Sequence, residues 1–375
     1  MGNERSLRSG RDDGEGPGRR RGEQFLAKCT RIAGDDRLPR SCERNQFVSE
    51  PTIPAQPYAY VFPGQGSQFV GMAGPLLEAS EMARAMMALA DDTLGFGLTD
   101  LIQNGPAEEL EDTVNAQPAI LAVSIAALAA LNENAEEAGV ALAPDYVAGH
   151  SLGEFSALVA AGVLQFPAAL RLVRERGRLM KQAGETNPGG MAAVLGLDDK
   201  AIAEVCRTAS ADGIVVPANR NCPGQTVISG EVGALTEAMD LAKGRGARRV
   251  ARLNVSIASH SPLMADANAE FQKLLQGAAL SLPEFPEKPS GMVVGNVSAL
   301  PVYTTGGLYE ELDLQMERPV DWTGSIQTMV DAGVKSFIEI GPGTVLGGLI
   351  KRIAPDAQTI PMAGLGLGIP TLSGR

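Results

Sequence analysis

Short apolar runs of strand character alternate with longer runs of helical period from Tyr58 onward. Strands are predicted at 58–62, 146–148 and 336–340, and helices at 118–131, from Leu152, at 170–181 and after Gly343. This alternation is typical of a sheet that carries helices on both faces. The pattern therefore predicts an α/β lobe with a central, mostly parallel sheet.

A different order begins after Gly190. Strands are predicted at 191–197, 214–219, 225–229 and 248–255, with helices at 199–210 and 232–243. The order β-α-β-β-α-β is that of the ferredoxin-like unit. A chain of 375 residues is also long enough to form more than one lobe. We therefore predict a ferredoxin-like small lobe at 189–256 inserted into a large lobe at 56–188 and 257–358, with a functional site in the cleft between them.

The two ends of the chain differ from its centre. Residues 1–50 contain 11 basic and 9 acidic residues with few apolar ones, so 1–55 is predicted to be a disordered extension. The acids argue against an organelle-targeting segment, which is poor in acids. The segment 359–375 is rich in glycine and proline and is predicted to be a flexible tail.

Charge and apolar run length exclude two classes of protein. The net charge is −12, and about −14 without residues 1–50, which argues against a general nucleic-acid binder. The run 118–131 is shorter than the roughly 20 residues that cross a membrane. The four cysteines form no C-x-x-C pair, as expected in a reducing compartment. The prediction is a cytoplasmic protein, or one of an organelle matrix if 1–50 is a targeting segment.

A candidate nucleophile lies between a predicted strand and a predicted helix. Residues 149–153 are G-H-S-L-G and match the G-x-S-x-G pattern in the context that the pattern requires. Ser151 then lies at a helix N-terminus, which favours a developing negative charge. An ordinary glycine-rich turn is the alternative.

A serine nucleophile needs a base, and the chain contains only two histidines, His150 and His260. Neighbouring side chains on an extended backbone point to opposite faces, so His150 cannot easily reach the Ser151 hydroxyl. His260 is therefore the predicted base. No aspartate is placed to orient it, so a backbone or amide carbonyl is predicted to do so.

The segment after the first strand is a candidate anion site. Gln65 lies between Gly64 and Gly66, and its backbone N–H is predicted to form an oxyanion hole with the N–H of Leu152. A dinucleotide-binding loop is the competing interpretation. It fails because Phe69 stands where that pattern needs a third glycine or an alanine.

One arginine lies on the wrong face of its predicted helix. On a helical wheel of 170–181, Arg176 falls in the middle of the apolar arc, whereas Arg171, Arg174 and Arg178 lie on the polar side. An unpaired buried guanidinium costs several kcal/mol. Its partner is therefore either a structural Asp or Glu or the carboxylate of a substrate.

Several ordered blocks between about residues 58 and 353 resemble malonyl-CoA:acyl-carrier-protein transacylases of fatty-acid synthesis. They are G-Q-G-S-Q at 64–68, G-H-S-L-G-E at 149–154, R-G at 176–177, N-x-N-x-P-x-Q at 219–225, S-H at 259–260, Gln315, and G-P-G at 341–343. The resemblance implies an α/β hydrolase-like large lobe. It also implies malonyl-CoA and acyl carrier protein as substrates, no metal and no other cofactor. A monomer is predicted.

The resemblance also implies roles for individual residues. Ser151 would be acylated, His260 would be its base, and Arg176 would bind the malonyl carboxylate. The oxyanion hole would consist of the N–H groups of Gln65 and Leu152. Carbonyl groups near Asn219 and Gln315 would orient His260.

One segment departs from the malonyl-specific pattern and bears on which acyl group is transferred. Residues 256–260, S-I-A-S-H, resemble the Y-A-S-H form of methylmalonyl-using polyketide acyltransferases, whereas Leu152 after the serine resembles malonyl users. Malonyl is the preferred prediction. The alternatives are a methylmalonyl or polyketide acyltransferase, a serine esterase or thioesterase, a catalytically silent scaffold, and Cys222 as the nucleophile.

An acidic carrier protein needs a local basic surface, because the folded body is itself acidic. The densest group of basic residues is Lys243, Arg245, Arg248, Arg249 and Arg252, near the last strand of the small lobe. We predict docking there.

Overall fold

The computed structural model describes residues 51–277 and 284–374, so most of the predicted extension at 1–55 lies outside the described residues. Within them the chain forms the nine strands β1 (Tyr58–Phe62), β2 (Tyr146–Gly149), β3 (Gly189–Leu195), β4 (Val215–Cys222), β5 (Gln225–Glu231), β6 (Arg249–Arg252), β7 (Met292–Val294), β8 (Ser336–Glu339) and β9 (Gln358–Pro361).

Helices connect these strands. The described residues contain α1 (Gly74–Ala79), α2 (Glu81–Leu94), α3 (Leu98–Asn104), α4 (Ala107–Glu111), α5 (Thr113–Glu137), α6 (Gly153–Ala160), α7 (Phe166–Thr186), α8 (Asp199–Ala209), α9 (Val232–Gly244), α10 (Ala265–Gln276), α11 (Thr305–Leu314), α12 (Trp322–Asp331) and α13 (Val345–Ile353). Three short 3₁₀ turns complete the set.

The main sheet is fully parallel, with the strand order β7-β2-β1-β8-β9. Phe62 at the end of β1 is in register with Gly149 at the end of β2. The segments that follow β1, β2 and β8 therefore leave the sheet at the same carboxyl edge. In open α/β sheets this edge is where ligands bind.

The second sheet is antiparallel, with the order β4-β5-β3-β6. Its elements follow the chain order β3-α8-β4-β5-α9-β6, which confirms the predicted ferredoxin-like arrangement. Helices α8 and α9 pack on one face around Val194, Ile202 and Leu235. The exact lobe boundaries remain predictions.

Helix α5 is longer than the apolar run that predicted it. It is long and apolar enough to cross a membrane by length and composition alone, but 89% of its most apolar window is buried inside the protein. It is apolar all round because the main core surrounds it.

The segment 359–374 differs from the predicted flexible tail. β9 pairs with β8, and Leu365, Leu367, Ile369 and Leu372 are buried in the main core. The carbonyl of Leu367 also accepts a hydrogen bond from the Asn134 side chain. The prediction failed because these regularly spaced apolar residues are interrupted by glycines, whose abundance hid the pattern.

Candidate active site

The turn between β2 and α6 holds Ser151 in a strained conformation. Its φ is +51°, which side chains rarely adopt. A Cβ on Gly149 would lie 1.9 Å from the Gly153 carbonyl, and a Cβ on Gly153 would lie 2.2 Å from the Phe62 carbonyl oxygen. Both positions therefore need glycine, because backbone packs directly against backbone on either side of the serine.

The serine and the predicted base meet. The Oγ of Ser151 lies 2.8 Å from Nε2 of His260, although the two residues are 109 positions apart. The other ring nitrogen, Nδ1, lies 2.8 Å from the Gln315 carbonyl oxygen and 3.2 Å from that of Arg318. Carbonyl oxygens only accept, so Nδ1 carries the proton and Nε2 is free to accept the serine proton.

One of the two residues expected to orient His260 does not contact it. The backbone carbonyl of Gln315 does, as the resemblance implied. Asn219 does not: it lies on β4, forms an isolated bridge with Val320 and lines the cavity. The Arg318 carbonyl, in the segment that follows α11, lies 3.2 Å from Nδ1 instead.

The surroundings keep the imidazole neutral. Burial, and then the positive charge of Arg176, lower the pKa of His260 to about 3. His260 is only 3% exposed. A neutral imidazole at physiological pH is the form that can take a proton.

Arg176 is buried, as the helical wheel predicted, with 1% of its surface exposed. Its Nη1 donates to Oε1 of Gln117 at 2.8 Å, and its Nε donates to Oε1 of Gln315 at 3.1 Å. Its Nη2 lies 3.3 Å from Oγ of Ser151. Among the described residues no carboxylate forms an ion pair with it.

The charge of Arg176 persists despite burial. Burial lowers its pKa to about 10, and the more distant Glu154 opposes that effect. The guanidinium is therefore charged at neutral pH. Of its five N–H groups, two donate to glutamine side chains, and Nη2 lies beside the nucleophile.

Two backbone N–H groups are available for an anion beside Ser151. Neither the N–H of Gln65 nor that of Leu152 donates to a protein acceptor within the described part of the chain. Both residues line a cavity of about 720 Å³ that also contains Ser151, His260 and Arg176. The small lobe supplies the opposite wall through its open face, including Met191, Ala193, Asn219 and Val227.

His150 points away from the serine hydroxyl. Its Nε2 lies 2.8 Å from Oδ1 of Asn221, and its ring meets the edge of Trp322 with 5.7 Å between centroids. The prediction that the side chains of His150 and Ser151 point to opposite faces is therefore correct. In the described residues, no group of three His, Cys, Asp or Glu side chains is placed to hold a metal.

Sequence reasoning missed Asn296. Its Oδ1 accepts the Ser151 N–H at 2.6 Å, and its Nδ2 donates to the Gly149 carbonyl at 2.7 Å. It therefore holds both sides of the strained turn. No sequence signal marks it, because it lies in an ordinary polar segment 145 residues from the serine.

Glu154 and Gln117 were also missed as site residues. Glu154 is fully buried on α6, and its carboxylate accepts from Nε2 of Gln315 and from the N–H of Asn296. Burial raises the pKa of Glu154 well above its usual value. Both residues gave a usable signal, since each is a polar side chain in an otherwise apolar helical run.

The assembled groups suit acyl transfer. The site combines a serine with a neutral imidazole, two N–H groups that can hold an oxyanion, and a cation that lines the same cavity. A cation at this position can pair with an acyl group that carries its own negative charge.

Comparisons with known proteins agree. A family model described as an acyl transferase domain matches residues 59–365. The malonyl CoA-acyl carrier protein transacylase of Bacillus subtilis (strain 168) is 43% identical over 306 residues, which are 81% of this chain and 93% of that protein. Its namesake from Haemophilus influenzae is 41% identical over 303 residues, covering 81% and 94%.

Solved structures show the same similarity. The acyl carrier protein S-malonyltransferase of Vibrio cholerae superposes with a TM-score of 0.76 at 41% identity, covering 82% of this chain and 96% of that one. A malonyl-transacylase solved in complex with its type II PKS acyl-carrier protein gives a TM-score of 0.77 at 39% identity, covering 83% and 98%.

Proposed function

This chain belongs to the malonyl CoA-acyl carrier protein transacylase family, and on that basis we propose that Ser151 carries a malonyl group from coenzyme A to acyl carrier protein. One observation supports this most directly. A buried guanidinium with no carboxylate partner among the described residues lies 3.3 Å from the nucleophilic oxygen. The free carboxylate of malonyl supplies the missing charge.

In the first half-reaction His260 takes the proton of Ser151 as Oγ attacks the thioester carbonyl carbon. The N–H groups of Gln65 and Leu152 hold the resulting oxyanion. Collapse of the intermediate breaks the carbon–sulfur bond. The coenzyme A thiolate then leaves with the proton from His260, and malonyl remains on Ser151 as an ester.

In the second half-reaction the same groups work in reverse. The phosphopantetheine thiol of acyl carrier protein gives its proton to His260, and its sulfur attacks the ester carbonyl. Ser151 leaves and recovers its proton from the imidazole. Both the first donor and the final product are thioesters, so the free-energy change is small and exclusion of water decides whether transfer or hydrolysis prevails.

Intact-mass measurement tests this function. The protein is exposed to malonyl-CoA, methylmalonyl-CoA or acetyl-CoA, and then to acyl carrier protein that carries phosphopantetheine. We expect a lasting malonyl adduct that moves to the carrier protein. Rapid release of free malonate instead would identify a hydrolase, and a preferred methylmalonyl adduct would identify the other extender class.

Arg176→Ala is expected to reduce the preference for malonyl-CoA over acetyl-CoA by about 100-fold, because the acyl carboxylate loses its charge-assisted hydrogen bonds. The ratio of kcat/KM for acylation with the two donors measures this. Arg178→Ala is the matched control, since Arg178 lies on the same helix but is exposed and pairs with Glu175. An equal loss with both donors would contradict the role of Arg176 in selection.

The basic surface of the small lobe divides into two parts. Lys243 pairs with Asp240 at 2.8 Å, and Arg245 pairs with Glu204 at 2.7 Å, so their charges are partly compensated. Arg248, Arg249 and Arg252 form no ion pair among the described residues and lie on or beside the edge strand β6. We propose that the unpaired positive charge of this edge strand attracts the acidic carrier protein through the arginine that lies on the cavity side.

Strand register selects one of the three. Ala251 is paired with Ala193, which lines the cavity, so Arg249 projects on the cavity side of β6 and Arg252 on the other side. Arg249→Glu is expected to slow the second half-reaction about tenfold at low salt and to leave the first unchanged. Arg252→Glu is the control. Equal effects of the two substitutions would count against docking at this face.

We also propose a single chain as the working unit, because Ser151, His260 and Arg176 come together within one chain. Light scattering of the active enzyme tests this, and a stable dimer would contradict it. A cytoplasmic location is the corresponding proposal for the cell. Fractionation that found the protein in an organelle matrix would overturn it.

A further inference from the structure

A chain of hydrogen bonds leads from Arg176 to the oxyanion loop. Nη1 of Arg176 donates to Oε1 of Gln117 at 2.8 Å, and Nε2 of Gln117 donates to Oγ1 of Thr113 at 3.0 Å. The Thr113 hydroxyl donates in turn to Oε1 of Gln65, also at 3.0 Å. Gln117 is 0% exposed and Thr113 is 6% exposed.

The direction of every bond in this chain is fixed by the guanidinium. Because a guanidinium only donates, Gln117 must turn its amide oxygen towards Arg176 and its amide nitrogen towards Thr113. The hydroxyl therefore accepts from Gln117, and its single proton is left for Gln65. A side chain that both accepts and donates is required at this point, and Thr113 supplies it.

Gln65 needs such an anchor more than most residues do. It lies between Gly64 and Gly66, and a glycine backbone has more accessible conformations than that of any other residue. Its backbone N–H is one of the two proposed oxyanion donors. Fixing the side chain of Gln65 therefore limits the directions in which that N–H can point.

The backbone of Thr113 is itself held firmly. It begins α5, and its carbonyl packs against α7 at Gly177, where a Cβ would lie only 2.5 Å from the carbonyl oxygen. Gly177 follows Arg176 directly. The starting point of the anchor is thus fixed to the helix that carries the guanidinium.

We propose that Thr113 is a positioning residue that aligns both the carboxylate-binding guanidinium and the oxyanion loop. It acts on Arg176 through Gln117 and on the backbone N–H of Gln65 through the Gln65 side chain. This proposal rests on the proposed function, because it concerns how the same site acylates Ser151. It assigns a separate measurable effect to each end of the hydrogen-bond chain.

Thr113→Val removes the hydroxyl while keeping a side chain of similar shape. Among the described residues, Nε2 of Gln117 then retains only Sδ of Met180, at 3.4 Å, and the Gln65 side chain loses its hydrogen bond to Thr113. We expect acylation by acetyl-CoA, which does not need Arg176, to fall about tenfold. The preference for malonyl-CoA over acetyl-CoA should also fall, and Thr113→Ser should restore both.

A double-mutant cycle isolates the effect of Thr113 on Gln65 and the oxyanion loop. Gln65→Ala keeps the backbone N–H but has no side chain to anchor, so it should slow acylation by acetyl-CoA to the same extent as Thr113→Val. In the Gln65→Ala background, Thr113→Val should not slow that reaction further. It should still lower malonyl preference, because the Gln117 end is untouched by Gln65→Ala.

The wild-type enzyme in the same assay distinguishes a failure of the proposed function from a failure of the proposed role of Thr113. Failure of the wild type to form a malonyl adduct removes the proposed function. With the wild type active, any of three results overturns the role of Thr113: unchanged kinetics in Thr113→Val, no rescue by Thr113→Ser, or additive losses in the cycle. Thr113→Ala removes the same hydroxyl and replaces the valine variant if that variant does not fold.

Discussion

Replacing Ser151 with alanine is expected to lower malonyl transfer on the order of 10⁶-fold, because a nucleophile and its base act as one unit. Among the described residues, Ser151 carries the only hydroxyl or thiol within hydrogen-bond distance of the His260 imidazole. Oγ of Ser151 is 2.8 Å from the imidazole and 3.3 Å from the guanidinium. Intact mass after exposure to malonyl-CoA should show an adduct on the wild type and none on Ser151→Ala.

Ser156→Ala is the matched control for that experiment. Ser156 lies on α6, in the helix that follows the nucleophile, and its buried Oγ has no hydrogen-bond partner in the described residues. Its loss should leave the malonyl adduct in place. An adduct on Ser151→Ala would mean that another group, such as the thiol of Cys222, accepts the acyl chain.

Replacing His260 with glutamine is expected to cost nearly as much as removing Ser151, because no other base lies beside the serine hydroxyl in the described residues. The two carbonyls at Nδ1 hold the neutral tautomer with Nε2 towards Ser151. His150→Gln is the comparison, since His150 bonds to Asn221 and is expected to have a much smaller effect. Stopped-flow release of coenzyme A measures both.

The pH dependence of acylation gives an independent check on His260. Its pKa is lowered to about 3, by burial first and by Arg176 second, so the base form persists far below the ordinary histidine value of about 6.5. The acidic limb of kcat/KM, which reports the free enzyme, is therefore expected well below that value.

The pH profile of kcat/KM also tests the effect of the Arg176 charge on His260. Removing this charge takes away the second cause of the shift, so Arg176→Ala should raise the pKa of His260 and move the acidic limb of kcat/KM to higher pH. Acetyl-CoA serves as the donor, since it does not depend on the guanidinium. A wild-type limb near 6.5, or no movement in the variant, would contradict this account of the imidazole.

The burial of Arg176 shows what a helical wheel can predict and what it cannot. Spacing within one helix placed the guanidinium on the apolar face, and the structure agrees. The wheel left open whether an internal carboxylate or a substrate neutralises it. Two glutamines from α5 and from the end of α11 hold it instead, and neither can be placed beside it by local spacing.

The segment 359–375 and Asn219 show more clearly what sequence analysis cannot predict. Composition predicted flexibility at 359–375, whereas partners elsewhere in the fold bury its apolar residues. Asn219 belongs to a block that resembles the family, and it lines the cavity. Its distance from Nδ1 of His260 depends on how the small lobe sits against the segment 315–320, which no sequence motif encodes.

The sequence by itself determined the two lobes, the nucleophilic turn and the choice of His260 over His150. Each of these follows from residues close together in the chain or from the scarcity of histidine. Only the tertiary structure decided what holds them: Asn296 against the serine turn, the Gln315 carbonyl against the imidazole, and Thr113 against Gln65. These contacts join residues 48 to 145 positions apart, and only packing of the whole chain can specify them.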